Sequence, residues 1–72
     1  MALNKYLLHD TYRVTRNLSL LDIAPKEEVV KHVIVAGKHS GREYTSEEVY
    51  AALNHLVQIG MLKMVNGEYE VL

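Results

Sequence analysis

The chain has 72 residues, no cysteine, and eight Lys or Arg against nine Asp or Glu. That length supports one core, hence a single domain over 1–72 burying about 60% of its unfolded surface, with a second copy as the expected way of covering more. Near-neutral charge excludes a polycationic coat for nucleic acid, and the lack of cysteine excludes disulfide staples and thiolate metal sites and fits a reducing, cytoplasmic home.

The opening MALNKYLLHD lacks the long apolar stretch and cleavage site of a signal peptide, so no export is expected. The longest apolar run, Val33 to Ala36, is far short of the roughly 20 residues a membrane span needs, so no membrane is expected as a partner. Residues 3 to 18 read as an amphipathic helix, with Leu3, Leu7, Thr11, Val14 and Leu18 on one side. The opposite side carries Lys5, His9, Arg13 and Arg16, with Tyr12 beside them. SLLDIA, residues 19 to 24, breaks the pattern as a short connector.

Pro25 suits a first helical position, and Glu27 and Glu28 follow where a helix start favours negative charge. Val29, Val30, Val33, Ile34 and Gly37 then form a helical stripe, although the β-branched run VVKHVIV keeps a strand as the alternative. Gly37 is expected to end this helix and GKHSGRE to form a polar loop. Thr45 and Glu48 have the spacing of a capping box, with Tyr44 placed to staple onto Val49. Val49, Ala52, Leu53 and Leu56 make the next buried stripe, and Gly60 supplies its left-handed end.

The last twelve residues determine a register. A two-residue Asn66-Gly67 turn pairs Val65 with Glu68, Met64 with Tyr69, Lys63 with Glu70, Leu62 with Val71 and Met61 with Leu72. Leu62, Met64, Tyr69 and Val71 then share one face, expected to lie on the helices, and Lys63 meets Glu70 on the other. The fold class is mainly α with a C-terminal β-hairpin, an α+β domain of three helices.

The segment EEVYAALNHLVQIGMLKMVNGEYEV, residues 47 to 71, resembles the winged-helix class of helix-turn-helix domains. LVQIGMLK looks like the end of a recognition helix and Asn66-Gly67 like a short wing tip. The interval from Gly37 to Thr45 is longer than the usual turn of about 3 or 4 residues. It is either an extended turn or holds a short strand at 42–45 that pairs with the wing.

The resemblance implies a small DNA-binding protein of the transcription-regulator kind, working as a homodimer on duplex DNA. The outer side of residues 45 to 59 offers Ser46, Tyr50, Ala51, Asn54, His55 and Gln58. Asn and Gln hydrogen-bond adenine bidentately, so Tyr50, Asn54, His55 and Gln58 are the candidate base or groove contacts. Arg13, Arg16, Lys38 and Arg42 are the candidate phosphate contacts. Charge is unevenly shared: residues 1 to 24 and 25 to 44 are each net +1, whereas 45 to 72 hold Lys63 alone against Glu47, Glu48, Glu68 and Glu70, net −3. Glu47, Glu48 and Glu68 would repel DNA at the helix start and wing tip. The alternative is therefore a protein-interaction module docking its acidic final third onto a basic replication or transcription component. A self-assembling scaffold is a third option.

Other chemistries find little footing. VIVAGKHSG lacks both the earlier glycine of a phosphate loop, where His32 stands, and the Ser or Thr after Lys38, where His39 stands. His9, His32, His39 and His55 show no ligand spacing, so neither a metal nor another cofactor is expected. Ser40 and His39 have no orienting third group, and no enzyme is expected.

Overall fold

Leu7, Thr11, Val14 and Leu18 recur at helical spacing, and the computed structural model, which describes residues 4–21 and 24–72, winds them into α1, Lys5–Leu20. Asn4 caps this helix, its Oδ1 accepting the Tyr6 N–H at 2.7 Å. The buried side is wider than the sequence pattern suggests, because Asp10 and Thr15 join it. The Thr15 hydroxyl donates to the Thr11 carbonyl at 2.6 Å, which lets it sit away from water. α1 also continues through Ser19 and Leu20, two residues past the expected end. Leu3, Asp22 and Ile23 lie outside the described residues.

α2 spans Lys26–His39, so the valine-rich run is helical. Its apolar residues fall at i, i+1, i+4 and i+8, and Val29, Val30, Val33 and Gly37 are all buried on one side. Pro25 stands one residue earlier than expected, as the extended cap with ψ 154°. A second expectation is corrected: Gly37 lies inside α2, and the left-handed residue that ends the helix is Gly41, φ +74°. The Arg42 N–H bonds the Gly37 carbonyl at 2.8 Å and the Gly41 N–H bonds the Lys38 carbonyl at 3.0 Å, so the last carbonyls are satisfied. A Cβ on Gly37 would lie 2.6 Å from Cδ2 of Tyr44, so this glycine admits a ring against the helix.

α3 spans Ser46–Gln58 with the expected capping box at Thr45 and Glu48, and buries Val49, Ala52, Leu53 and Leu56. Gly60, φ +81°, ends it, and the Met61 N–H reaches the Leu56 carbonyl at 2.9 Å. β1, Leu62–Val65, and β2, Glu68–Val71, pair antiparallel in the register derived above. Asn66 at φ 51° and Gly67 at φ 80° give the doubly left-handed turn that two-residue hairpins require.

The other side of β2 meets the chain between α1 and α2. The Tyr69 N–H bonds the Ala24 carbonyl at 2.9 Å, Glu68 Oε1 accepts the Ala24 N–H at 3.3 Å, and Pro25 bridges Glu68. The third extended segment is therefore at 24–25, while 42–45 forms no strand and is an extended turn. Leu62 and Tyr69 are buried as expected, but Met64 is 43% exposed. β1 is the outer strand and β2 the inner one, so Tyr69 is enclosed while its register partner Met64 hangs at the edge.

α1 is the central element, packing against α2, α3 and β2. Three helices followed by an antiparallel hairpin are compatible with a winged-helix topology. Among the described residues no helix is long and apolar enough to cross a membrane.

Candidate nucleic-acid interface

Tyr6, Asp10 and Arg13 stand at i, i+4 and i+7 on α1 and so form one ridge along its flank. Asp10 is buried at the foot of that ridge, where the Tyr44 hydroxyl donates to its Oδ2 at 2.8 Å. Arg13 Nη2 lies 3.7 Å from the other oxygen. Burial, reinforced by the hydrogen bond to Asp10, pushes the Tyr44 hydroxyl up to about 12. Tyr44, expected to staple onto Val49, thus directs its hydroxyl to α1 and its ring against Gly37.

This clasp fixes the turn between α2 and α3, and with it Arg42. The Arg42 backbone is held to Gly37, and its guanidinium lies 4.3 Å from the centroid of the Tyr6 ring. Lys5 Nζ approaches the same ring at 5.5 Å. Two cations from distant parts of the chain therefore meet at one half-exposed aromatic.

Of the four candidate phosphate contacts, Arg13 and Arg42 come together on this flank, joined through Asp10 and Tyr44. Lys38 is exposed in the last turn of α2, just before Gly41. Arg16 is exposed nearly in line with Lys5, about 16 Å further along α1.

The candidate base contacts divide. Asn54 and Gln58 are exposed and share an outward ridge with Glu47 and Ala51, at i, i+4, i+7 and i+11. Tyr50 and His55 are both half-buried, on opposite flanks about 140° apart round α3. Lys26 Nζ covers the Tyr50 ring at 4.7 Å. The Tyr69 hydroxyl is pushed above its usual range by burial, with Tyr50 and Glu27 adding to the effect, so Tyr50 belongs to the joint where α3, the start of α2 and the hairpin meet. Glu47 heads the outward ridge. Glu48 is occupied, its Oε1 accepting the Thr45 N–H at 2.9 Å.

The hairpin stands elsewhere. Ser19 shares an open, polar hollow with Val65, Asn66, Glu68, Tyr69 and Glu70, and it lies about 140° round α1 from Tyr6. The wing and the Lys5–Arg42 cluster thus occupy opposite flanks of α1. Lys63 and Glu70 are register partners, yet no ion pair closes between them.

Sequence reasoning missed Tyr6 as the platform, Lys26 as a cover for Tyr50, and Asp10 as a buried acceptor. The spacing of Tyr6, Asp10 and Arg13 was a usable sign of one ridge, whereas nothing local linked Asp10 to Tyr44. Compared with protein-family models, curated proteins and solved structures, the chain matches none.

Proposed function

We propose that the chain is a small duplex-DNA-binding domain of the transcription-regulator kind, gripping the backbone through α1 and the α2–α3 turn and presenting Asn54 and Gln58 to the groove. The observation that carries this reading is the pairing of Lys5 and Arg42 at Tyr6, beside Arg13 and ahead of α3. Cations meeting phosphates supply most of the affinity for duplex, and a guanidinium already fixed in place loses little freedom on binding. Asn54 and Gln58 carry the amide chemistry that reads adenine, on an exposed ridge. Two copies working as a homodimer would place two such ridges on half-sites one helical turn apart.

Titration of a fluorescent duplex tests the proposal. With Arg16, Lys38 and the Lys5–Arg42 pair as three phosphate contacts, affinity falls about 40-fold between about 50 and 200 mM salt. Absence of binding at low salt, or binding indifferent to salt, overturns it. Sedimentation of the free protein tests the dimer separately.

The second reading, a protein-interaction module, draws on the hollow where Glu68 and Glu70 stand beside Ser19. Under it, Glu70→Lys weakens capture of a basic partner; under the first, it leaves DNA binding unchanged or stronger.

A further inference from the structure

We infer that Lys5, Tyr6 and Arg42 form a preformed site for a single phosphate group, which is the anchoring contact of the domain. The inference rests on the DNA-binding reading only for the phosphate's being a diester of duplex. The site itself follows from how Arg42 is held and from what is missing around it.

A guanidinium stacked face-on against an aromatic ring keeps its N–H donors around its rim, where a tetrahedral oxyanion accepts two of them at once. Arg42 carries its guanidinium carbon over the Tyr6 ring, 4.3 Å from the centroid. Its backbone is fixed by the bond to Gly37 at 2.8 Å, and the following turn by Tyr44 on Asp10. Lys5 brings a second charge to the same ring.

The carboxylates nearby in the fold are engaged elsewhere. Asp10 serves Tyr44 and Arg13, and Glu48 serves the Thr45 N–H. Glu43 is exposed, and among the described residues no carboxylate lies within ion-pair distance of Arg42 or Lys5. A guanidinium positioned this firmly without an anionic partner is suited to an external one.

Tyr6 is a positioning residue here. It supplies no donor that phosphate requires, but its ring attracts both the Arg42 guanidinium and the Lys5 ammonium. Tyr6→Phe therefore keeps the site, and Tyr6→Ala loses it while leaving Arg42 and Lys5 present.

The test follows backbone and Arg Nε–H signals by NMR as inorganic phosphate is added at constant ionic strength, with chloride as the control. Saturable shifts at Lys5, Tyr6 and Arg42, retained in Tyr6→Phe and lost in Tyr6→Ala and Arg42→Gln, are expected. In parallel, the double variant Lys5→Gln with Arg42→Gln, which removes this one phosphate contact, should lower the slope of log affinity for duplex against log salt by about 0.9. Phosphate shifts at this site without duplex binding would uphold the site and overturn the DNA reading. Duplex binding whose slope is unchanged in the double Gln variant would overturn the site and leave the DNA reading standing. Shifts spread evenly over all surface cations would also overturn the site. Circular dichroism on each variant confirms that the fold persists, and Tyr6→Phe provides a reading free of that concern.

Discussion

The hydroxyl of Tyr44 donates to the carboxylate of Asp10 at 2.8 Å across a sequence separation of 34 residues, and both are buried. This bond ties the α2–α3 turn to α1 and thereby sets where Arg42 stands. Removing it separates its structural share from its functional one. Tyr44→Phe leaves a buried carboxylate with only the Arg13 contact, a loss of about 1.5–3 kcal/mol for a hydrogen bond to a charged group. Asp10→Asn costs less, since an amide oxygen still accepts from the hydroxyl. In thermal unfolding Tyr44→Phe should fall well below wild type with Asp10→Asn between them; a Tyr44→Phe midpoint equal to wild type would show that the bond contributes nothing.

The same hydroxyl makes stability depend on alkaline pH. Its folded pKa, about 12 against the ordinary 10.0, lies above the unfolded value. The folded state therefore binds more protons than the unfolded state between those two values, and its stability falls as pH rises through that window. Below about pH 10 the contribution is fully present. Tyr69 is displaced in the same direction, again chiefly by burial. Denaturation midpoints measured from pH 9 to 11.5 should decline more steeply for wild type than for Tyr44→Phe; parallel curves would remove Tyr44 as the cause.

Much of this fold is legible in the residues. The capping box at Thr45 and Glu48, the buried stripe of α3 and the hairpin register depend on neighbours within a few positions, and each is found as expected. The differences arise where contacts are long-range. Gly37 carries the ordinary signature of a helix stop, but a ring arriving from Tyr44 needs it inside the helix, and Gly41 ends the helix instead. The sequence allows 42–45 either an extended turn or a strand beside the wing; it is the turn, and Ala24 and Pro25 take the place beside β2. At the interface, the charges of Arg13 and Arg42 were visible in the sequence. Their placement on one flank, Arg13 at Asp10 and Arg42 over Tyr6, was not, since it depends on the Tyr44–Asp10 pairing that no local pattern encodes.

Gly37 allows this long-range pairing to be tested from the opposite side. Alanine there would gain about 1 kcal/mol of helix propensity if the position were an ordinary one. A Cβ would instead meet Tyr44 Cδ2 at 2.6 Å, Cε2 at 2.7 Å and the Arg42 carbonyl oxygen at 3.2 Å. The ring is held by its hydroxyl, so it cannot swing aside without breaking the bond to Asp10. Gly37→Ala should therefore destabilise by about 1–3 kcal/mol, the range of overpacked cores. Chemical denaturation measures it, and a gain in stability would mean that Tyr44 is free to move.

Thr11 offers the opposite case, a substitution that should stabilise. It is fully buried on α1, and among the described residues its Oγ1 has no hydrogen-bond partner. The neighbouring Thr15 differs, because its hydroxyl donates to the Thr11 carbonyl. Valine has nearly the shape of threonine and leaves that carbonyl in place, so Thr11→Val removes an unsatisfied polar group without opening a cavity. Relieving such a group is worth about 1 kcal/mol or somewhat more, and for a domain of this size 1 kcal/mol moves the midpoint by about 4–8 °C. The same change at Thr15 deletes a made bond and should be neutral or destabilising. Thermal unfolding of the two variants side by side decides the matter: if Thr11→Val lowers the midpoint as much as Thr15→Val, the Thr11 hydroxyl has a partner after all, and a bound water in the core is the first place to look.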